Sequence, residues 1–223
     1  MTATALQQQF ESVLGGQIDW KSRPAPETVR IGVSELDAAT GGLPRGCLTE
    51  IFGPASSGRT SLLVSILAAA TGREEVCALV DAEDAFDPLS AAAAGVRLER
   101  LLWIRCGHNA EHALKAADLL IQGGGFGLVA MDLGDTPPQT ARRISLTSWF
   151  RLRRAIENTP AVLVTVSRQP NAKTCASLML ECARERASWQ GGVRLLRGIR
   201  VRVARRKPER VLTAAFDAAA LMA

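Results

Sequence analysis

The residues best suited to chemistry are Gly53-Pro54-Ala55-Ser56-Ser57-Gly58-Arg59-Thr60, followed by Ser61. They match a phosphate-binding pattern at every position but one: glycine, four variable residues, glycine, lysine, then serine or threonine. In that pattern the glycines let the backbone curl until successive N–H groups converge on an anion at a helix N-terminus. The Thr60 hydroxyl would then sit on a magnesium ion. Asp132, closing the apolar run GLVAMD about seventy residues later, suits the second acid on the metal side of such a site. The exception is Arg59, where lysine is expected. Lysine reaches phosphates as a compact point charge, whereas arginine is planar, forked and bulkier. The swap predicts weakened nucleotide binding and hydrolysis largely lost. The opposing reading is a guanidinium that still clamps phosphate bidentately and leaves a slow ATPase.

Alternating strands and helices must position these residues. CLTEIF (47–52) reads as a strand running into the glycine turn, and SLLVSILAAAT (61–71) as an apolar helix after it. The segments 76–83, 101–106, 127–132 and 161–167 read as further strands. Between them, 87–95, 110–122 and a basic stretch 140–158, broken near Ser145–Ser148, read as helices. From Gly198 the period changes to two: Ile199, Val201 and Val203 alternate with Arg200 and Arg202, and VLTAAF (211–216) follows a Pro-Glu-Arg turn. That pairing predicts a hairpin. The expected fold is α/β, with a mainly parallel central sheet flanked by helices and a C-terminal antiparallel hairpin extension. Residues 1–28 read as a short amphipathic helix (Leu6, Phe10, Val13 and Leu14 on one stripe) plus a linker, and 29–223 as the core domain. That helix either docks on its own core or on a second subunit.

Composition narrows the class. The chain has 223 residues, 47% hydrophobic and 22% charged, which excludes disordered and low-complexity classes. No apolar run reaches the roughly 18 residues needed to span a bilayer. The opening MTATALQQQF carries no basic segment followed by an apolar one, so a soluble cytoplasmic protein is expected. The five cysteines are scattered and never spaced as CxxC, against a disulfide framework or zinc site. His108 and His112 are four apart and could share a helix face, but no further ligand accompanies them. Charge is polarised: residues 1–111 hold 9 Lys+Arg against 14 Asp+Glu, and residues 112–223 hold 18 against 8. Two basic clusters stand out, Arg142, Arg143, Arg151, Arg153 and Arg154, then Arg200, Arg202, Arg205, Arg206 and Lys207. Such clusters suit phosphate backbones read without sequence preference, an acidic protein partner, or a merely solvated face.

The stretch GVSELDAATGGLPRGCLTEIFGPASSGRTS (32–61) resembles the opening of the RecA recombinase core, and VDAEDAFDP (80–88) the strand and turn that carry its catalytic glutamate. The runs GGLPRG, GPASSGRTS, DAFDP, LLWIRC, ADLL with GGFGLV, and LTSWFRLRRA are similar to the ImuA family, RecA-like accessory proteins of bacterial SOS mutagenesis. The resemblance covers most of residues 32–206. It implies a RecA-like P-loop core with Glu83 as counterpart of the general base, Asp132 as the Walker B acid and Asp87 at the adenine end. It also implies departures: Ser90 where an aromatic stacks on adenine, and Ser167 where a glutamine senses the γ-phosphate. The segment 168–176 is short where a long mobile DNA-binding loop is expected.

What the resemblance implies is an adaptor in translesion DNA synthesis, with ATP and magnesium held weakly or not at all. Its implied partners are an ImuB-like homologue of Y-family polymerases, an error-prone replicative-type polymerase, RecA itself and single-stranded DNA. The other readings are an active DNA-dependent ATPase and a sequence-independent DNA-binding protein.

Overall fold

The structure, a computed structural model, describes residues 25–190, 195–208 and 212–219. The helix expected at 3–14, and its part in self-association, lie outside the described residues. Two short strands, β1 (Thr28–Val29) and β2 (Leu43–Pro44), pair antiparallel around helix α1 (Ser34–Thr40). The chain then builds β3 (Cys47–Phe52), α2 (Arg59–Gly72), β4 (Cys77–Asp81), α3 (Pro88–Ala93), β5 (Leu101–Arg105), α4 (Ala110–Gly123) and β6 (Leu128–Asp132). Helices α5 (Pro138–Ala141) and α6 (Leu146–Ile156) precede β7 (Val162–Ser167), and three long strands follow: β8 (Leu178–Gln190), β9 (Leu195–Lys207) and β10 (Leu212–Ala219).

Strands β3 to β10 share one eight-stranded sheet, in the order β10-β9-β8-β3-β7-β6-β4-β5, with the helices laid on its faces. Strands β3 to β7 run parallel, β8 runs parallel to β3, and β9 and β10 return antiparallel. The parallel strands are apolar on both sides because both faces are covered. Along β6, Val129 and Met131 pack on one face and Ala130 on the other. One face receives Leu62, Leu63, Ile66, Leu67 and Ala70 of α2. The opposite face receives Ala113, Leu114, Ala117 and Ile121 of α4 and Trp149, Leu152 and Ile156 of α6, each set at helical spacing. Side chains fix where the helices begin: Asp87, Asn109 and Ser145 each accept an amide hydrogen bond as N-caps. The Ser145 cap begins α6 inside the stretch where a break was expected.

The C-terminal extension is larger than the expected hairpin. Besides β9 and β10 it contains β8, thirteen residues long, inserted between the hairpin and β3. Val201 and Val203 are buried, Ile199 packs beside them, and Arg202 is exposed, as the period of two required. The short segment 168–176 is held down by Glu50, a fully buried carboxylate on β3. Its Oε1 accepts the amides of Asn171 at 2.5 Å and Ala172 at 2.9 Å. Burial pushes the Glu50 carboxyl up, against the pull of those amides.

Candidate functional site

The carboxyl ends of β3, β4, β6 and β7 open at one edge of the sheet, where parallel α/β sheets place their ligands. The loop 53–60 joins β3 to α2 there, with Pro54, Ala55, Ser56 and Thr60 exposed and Ser57, Gly58 and Arg59 buried. Two glycines seat it against the extension. A Cβ on Gly58, which has φ +89°, would lie 2.2 Å from Val201 Cγ2, and one on Gly53 would lie 2.2 Å from the Cys182 carbonyl oxygen. Ser56 also takes a left-handed conformation, φ 57°. Among the described residues, the amides of Ser56, Gly58, Arg59 and Thr60 have no backbone acceptor. The Ser57 hydroxyl is buried with no partner. A curled loop with unused N–H groups at the start of a fourteen-residue helix fits a phosphate.

Arg59 does not project from this loop. It is 6% exposed, and its Nη1 donates to the Gly134 carbonyl at 3.0 Å, beyond the end of β6. Burial lowers its pKa, with Asp132 and Asp135 opposing. The same carbonyl accepts Arg168 Nε at 3.2 Å, and Arg168 Nη2 lies 3.6 Å from Asp135. The Gly134 amide donates to Asp132 Oδ1 at 2.7 Å. Desolvation pushes the Asp132 carboxyl up to about 6, although that amide and the Arg59 charge pull it down. A divalent cation fits this donor set less well than the phosphate fits the loop. Thr60 offers an exposed hydroxyl, but one oxygen of Asp132 already holds an amide, and the nearby positive charge is a guanidinium.

Glu83 is held between two residues that the sequence reading did not assign to it. Oε1 accepts the Thr136 hydroxyl at 2.7 Å, and Oε2 lies 3.0 Å from His108 Nδ1. His108 precedes the N-cap of α4, so it does not share that helix's face with His112. No group of three metal-ligating side chains occurs among the described residues. Asp81, buried at the end of β4 and paired in register with Asp132, accepts Ala85 N, Phe86 N and Trp103 Nε1 and so shapes the turn leading to Asp87.

Beside the loop lies a cavity of about 730 Å³. Thr60, Ser61, Asp87 and Ser90 line it from one side and Phe216 to Ala219 of β10 from the other. Asp87 is exposed and tied to its own helix. Its carboxylate accepts Leu89 N and the Ser90 hydroxyl, which hold its pKa below the usual range. Ser90 supplies no stacking surface. Ser167 is likewise engaged locally, donating to the Gln169 carbonyl at 2.7 Å.

The two basic clusters stand on separate elements. Arg142 hydrogen-bonds Gln169, Arg151 lies 3.4 Å from Asp118, and Arg153 lies 3.2 Å from Glu157, while Arg143 and Arg154 are exposed. On β9, Arg200 pairs with Glu185 and Asp217, Arg206 with Glu181, and Lys207 Nζ reaches the Thr174 and Ala176 carbonyls. Arg205 is half-buried, and Arg202 faces solvent opposite Ala183 and Ala215. A second cavity, about 600 Å³, lies between Arg142, Ser145 and Leu146 on one side and Gln169 to Asn171 with Lys173 on the other. Arg168, Thr136 and His108 are the site residues that motif reading missed. Each lies a few residues past a strand end, which is the one signal that could have found them.

Residues 10–137 match the family model described as the RecA N-terminal domain. Protein RecA of Chloroflexus aurantiacus is 34% identical over 162 residues, 66% of this chain and 46% of that protein. Protein RecA of Blastochloris viridis is 35% identical over 157 residues, 63% of this chain and 45% of that protein. The chain thus spans about half the length of the curated relatives it matches.

Proposed function

We propose, from the premise that this chain belongs to the RecA N-terminal domain family, that it is an adaptor of the ImuA type in DNA repair. It binds nucleotide weakly at the loop 53–60, hydrolyses it poorly or not at all, and serves translesion synthesis. Its partners are an ImuB-like polymerase homologue, an error-prone replicative-type polymerase, and RecA. The observation that carries this reading is the position of Arg59, buried and hydrogen-bonded to Gly134 instead of facing the open side of the loop. Glu83 supports it, because a general base held by Thr136 and His108 has both oxygens engaged. Phosphate release from ATP, magnesium and single-stranded DNA tests it. Wild type is expected to stay at background, and DNA-stimulated release would sink the adaptor reading. Arg59→Lys, measured alongside, reports how much of the loss the arginine causes.

Binding of single-stranded DNA without sequence preference is a second reading, favoured by the cavity between Arg142 and Lys173. Such binding falls steeply with salt. Replacing Arg142 and Lys173 by Ala should weaken retention of a labelled oligonucleotide, and unchanged retention removes this reading.

A further inference from the structure

We propose that the outward side of α6, together with the cavity at its N-terminal end, docks an acidic segment of a partner protein that carries two apolar side chains about one helical turn apart. The inference rests on the adaptor reading and goes beyond it by naming the surface and the chemistry of what it receives.

Four observations carry it. First, Leu146 is 47% and Phe150 43% exposed, and neither joins the core that Trp149, Leu152 and Ile156 build from the other side of the same helix. Residues four apart on a helix face one direction, so the two form a single apolar stripe where a surface helix ordinarily turns polar groups to water. Secondly, the stripe is bracketed by cations. Arg154 stands one turn beyond Phe150, Arg143 lies just before the Ser145 cap, and both are exposed. Neither guanidinium meets a carboxylate or another polar partner among the described residues. Thirdly, the acids of this region are already engaged. Asp118 lies 3.4 Å from Arg151 and Glu157 3.2 Å from Arg153, while Glu50 turns one oxygen to the amides of Asn171 and Ala172. Fourthly, Leu146 belongs both to the stripe and to the cavity of about 600 Å³, whose lining includes Arg142, Ser145 and Lys173 and no acid. The first turn of the eleven-residue α6 opens there, and its dipole favours a carboxylate. Such a surface asks for apolar anchors with carboxylates on either side. A nucleic-acid backbone supplies the charge but nothing for Leu146, which has no ring on which a base could stack. An acidic amphipathic segment supplies both.

Selection from a random dodecapeptide library on the full chain, followed by fluorescence anisotropy of the enriched peptides, tests the proposal. Enriched sequences are expected to combine Asp or Glu with large apolar residues three or four apart. Phe150→Ala and Arg154→Gln change exposed side chains and are expected to melt as wild type. They should weaken these peptides about tenfold and about threefold respectively. Enrichment of peptides without acids, or no enrichment at all, overturns the partner's chemistry. Unchanged binding of the acidic peptides by a folded Phe150→Ala variant overturns the place. Oligothymidine titrated in parallel decides the class. Phe150→Ala is expected to leave its affinity unmoved, and a loss as large as that of the peptides assigns the stripe to nucleic acid and overturns the proposal. Each of these failures leaves the adaptor reading intact, because phosphate release tests that reading by itself.

Discussion

The two ends of the cleft beside α2 are built on opposite principles. At the loop end, charge is concentrated and held: Arg59 is buried, Gly134 is gripped on both sides, and glycines 53 and 58 leave no room against β8 and β9. At the far end the walls are small, with Ser90, Ala91 and Ala94 on one side and Ala218 and Ala219 on the other, and the charges beside them, Asp87 and Asp217, are exposed carboxylates. Phosphates would meet a fixed electrostatic environment, and a base would meet an open one with no ring at position 90. In such a cleft a bound nucleotide would draw its affinity mainly from the phosphate chain.

The largest effect is expected from Gly53→Ala at the loop end, because the new methyl meets backbone, not a side chain that can turn away. A loss of about 3 kcal/mol, seen as a fall of roughly 10 °C in Tm, is expected. Ala94→Ser at the far end, on an exposed residue, should change stability by less than about 0.5 kcal/mol. Equal melting of the two variants would break the comparison.

Asp132→Asn should stabilise the protein. The wild-type carboxyl titrates at about 6 in the folded state against 3.8 for the ordinary group, so its favourable contribution is present at low pH and lost as pH rises through 6. The variant is thus expected to gain on the order of 2 kcal/mol at pH 7.5 in urea unfolding, and about half of that at pH 5. A gain that grows as pH falls would contradict the assigned burial of charge.

The smallest effect concerns the open end. Ser90→Tyr supplies the missing platform and is expected to raise ATP affinity about fivefold while leaving tripolyphosphate unchanged. Calorimetry distinguishes the two, and an equal rise for both ligands would place Ser90 at the phosphates instead.

Much of this cleft was legible in the sequence because its signals are local. The glycine spacing, the apolar strand before it and the apolar helix after it specify the loop within thirty residues, and Asp87 announces itself as a cap two residues before the amide it accepts. β8 was not legible, and the reason is physical. Its first half, LMLEC, buries Leu178, Leu180 and Cys182, but its second half pairs only with β9, and Arg184 to Arg186, Ser188 and Trp189 are exposed, so Ala, Glu and Arg there carry no period of two. Arg168 escaped for a different reason. Its role depends on β6 and β7 being neighbours, and no spacing within residues 133–168 encodes that adjacency.

Glu50 gives the segment 168–176 an unusual property for a connection at a binding edge. Two amide hydrogen bonds to a buried carboxylate divide nine residues into a tether of three on one side and four on the other. The entropy of closing so short a loop is already lost before any ligand arrives. A ligand that docks there orders almost nothing, so its arrival cannot be broadcast through the protein as a disorder-to-order change. Whatever this edge of the sheet recognises, it recognises as a fixed surface.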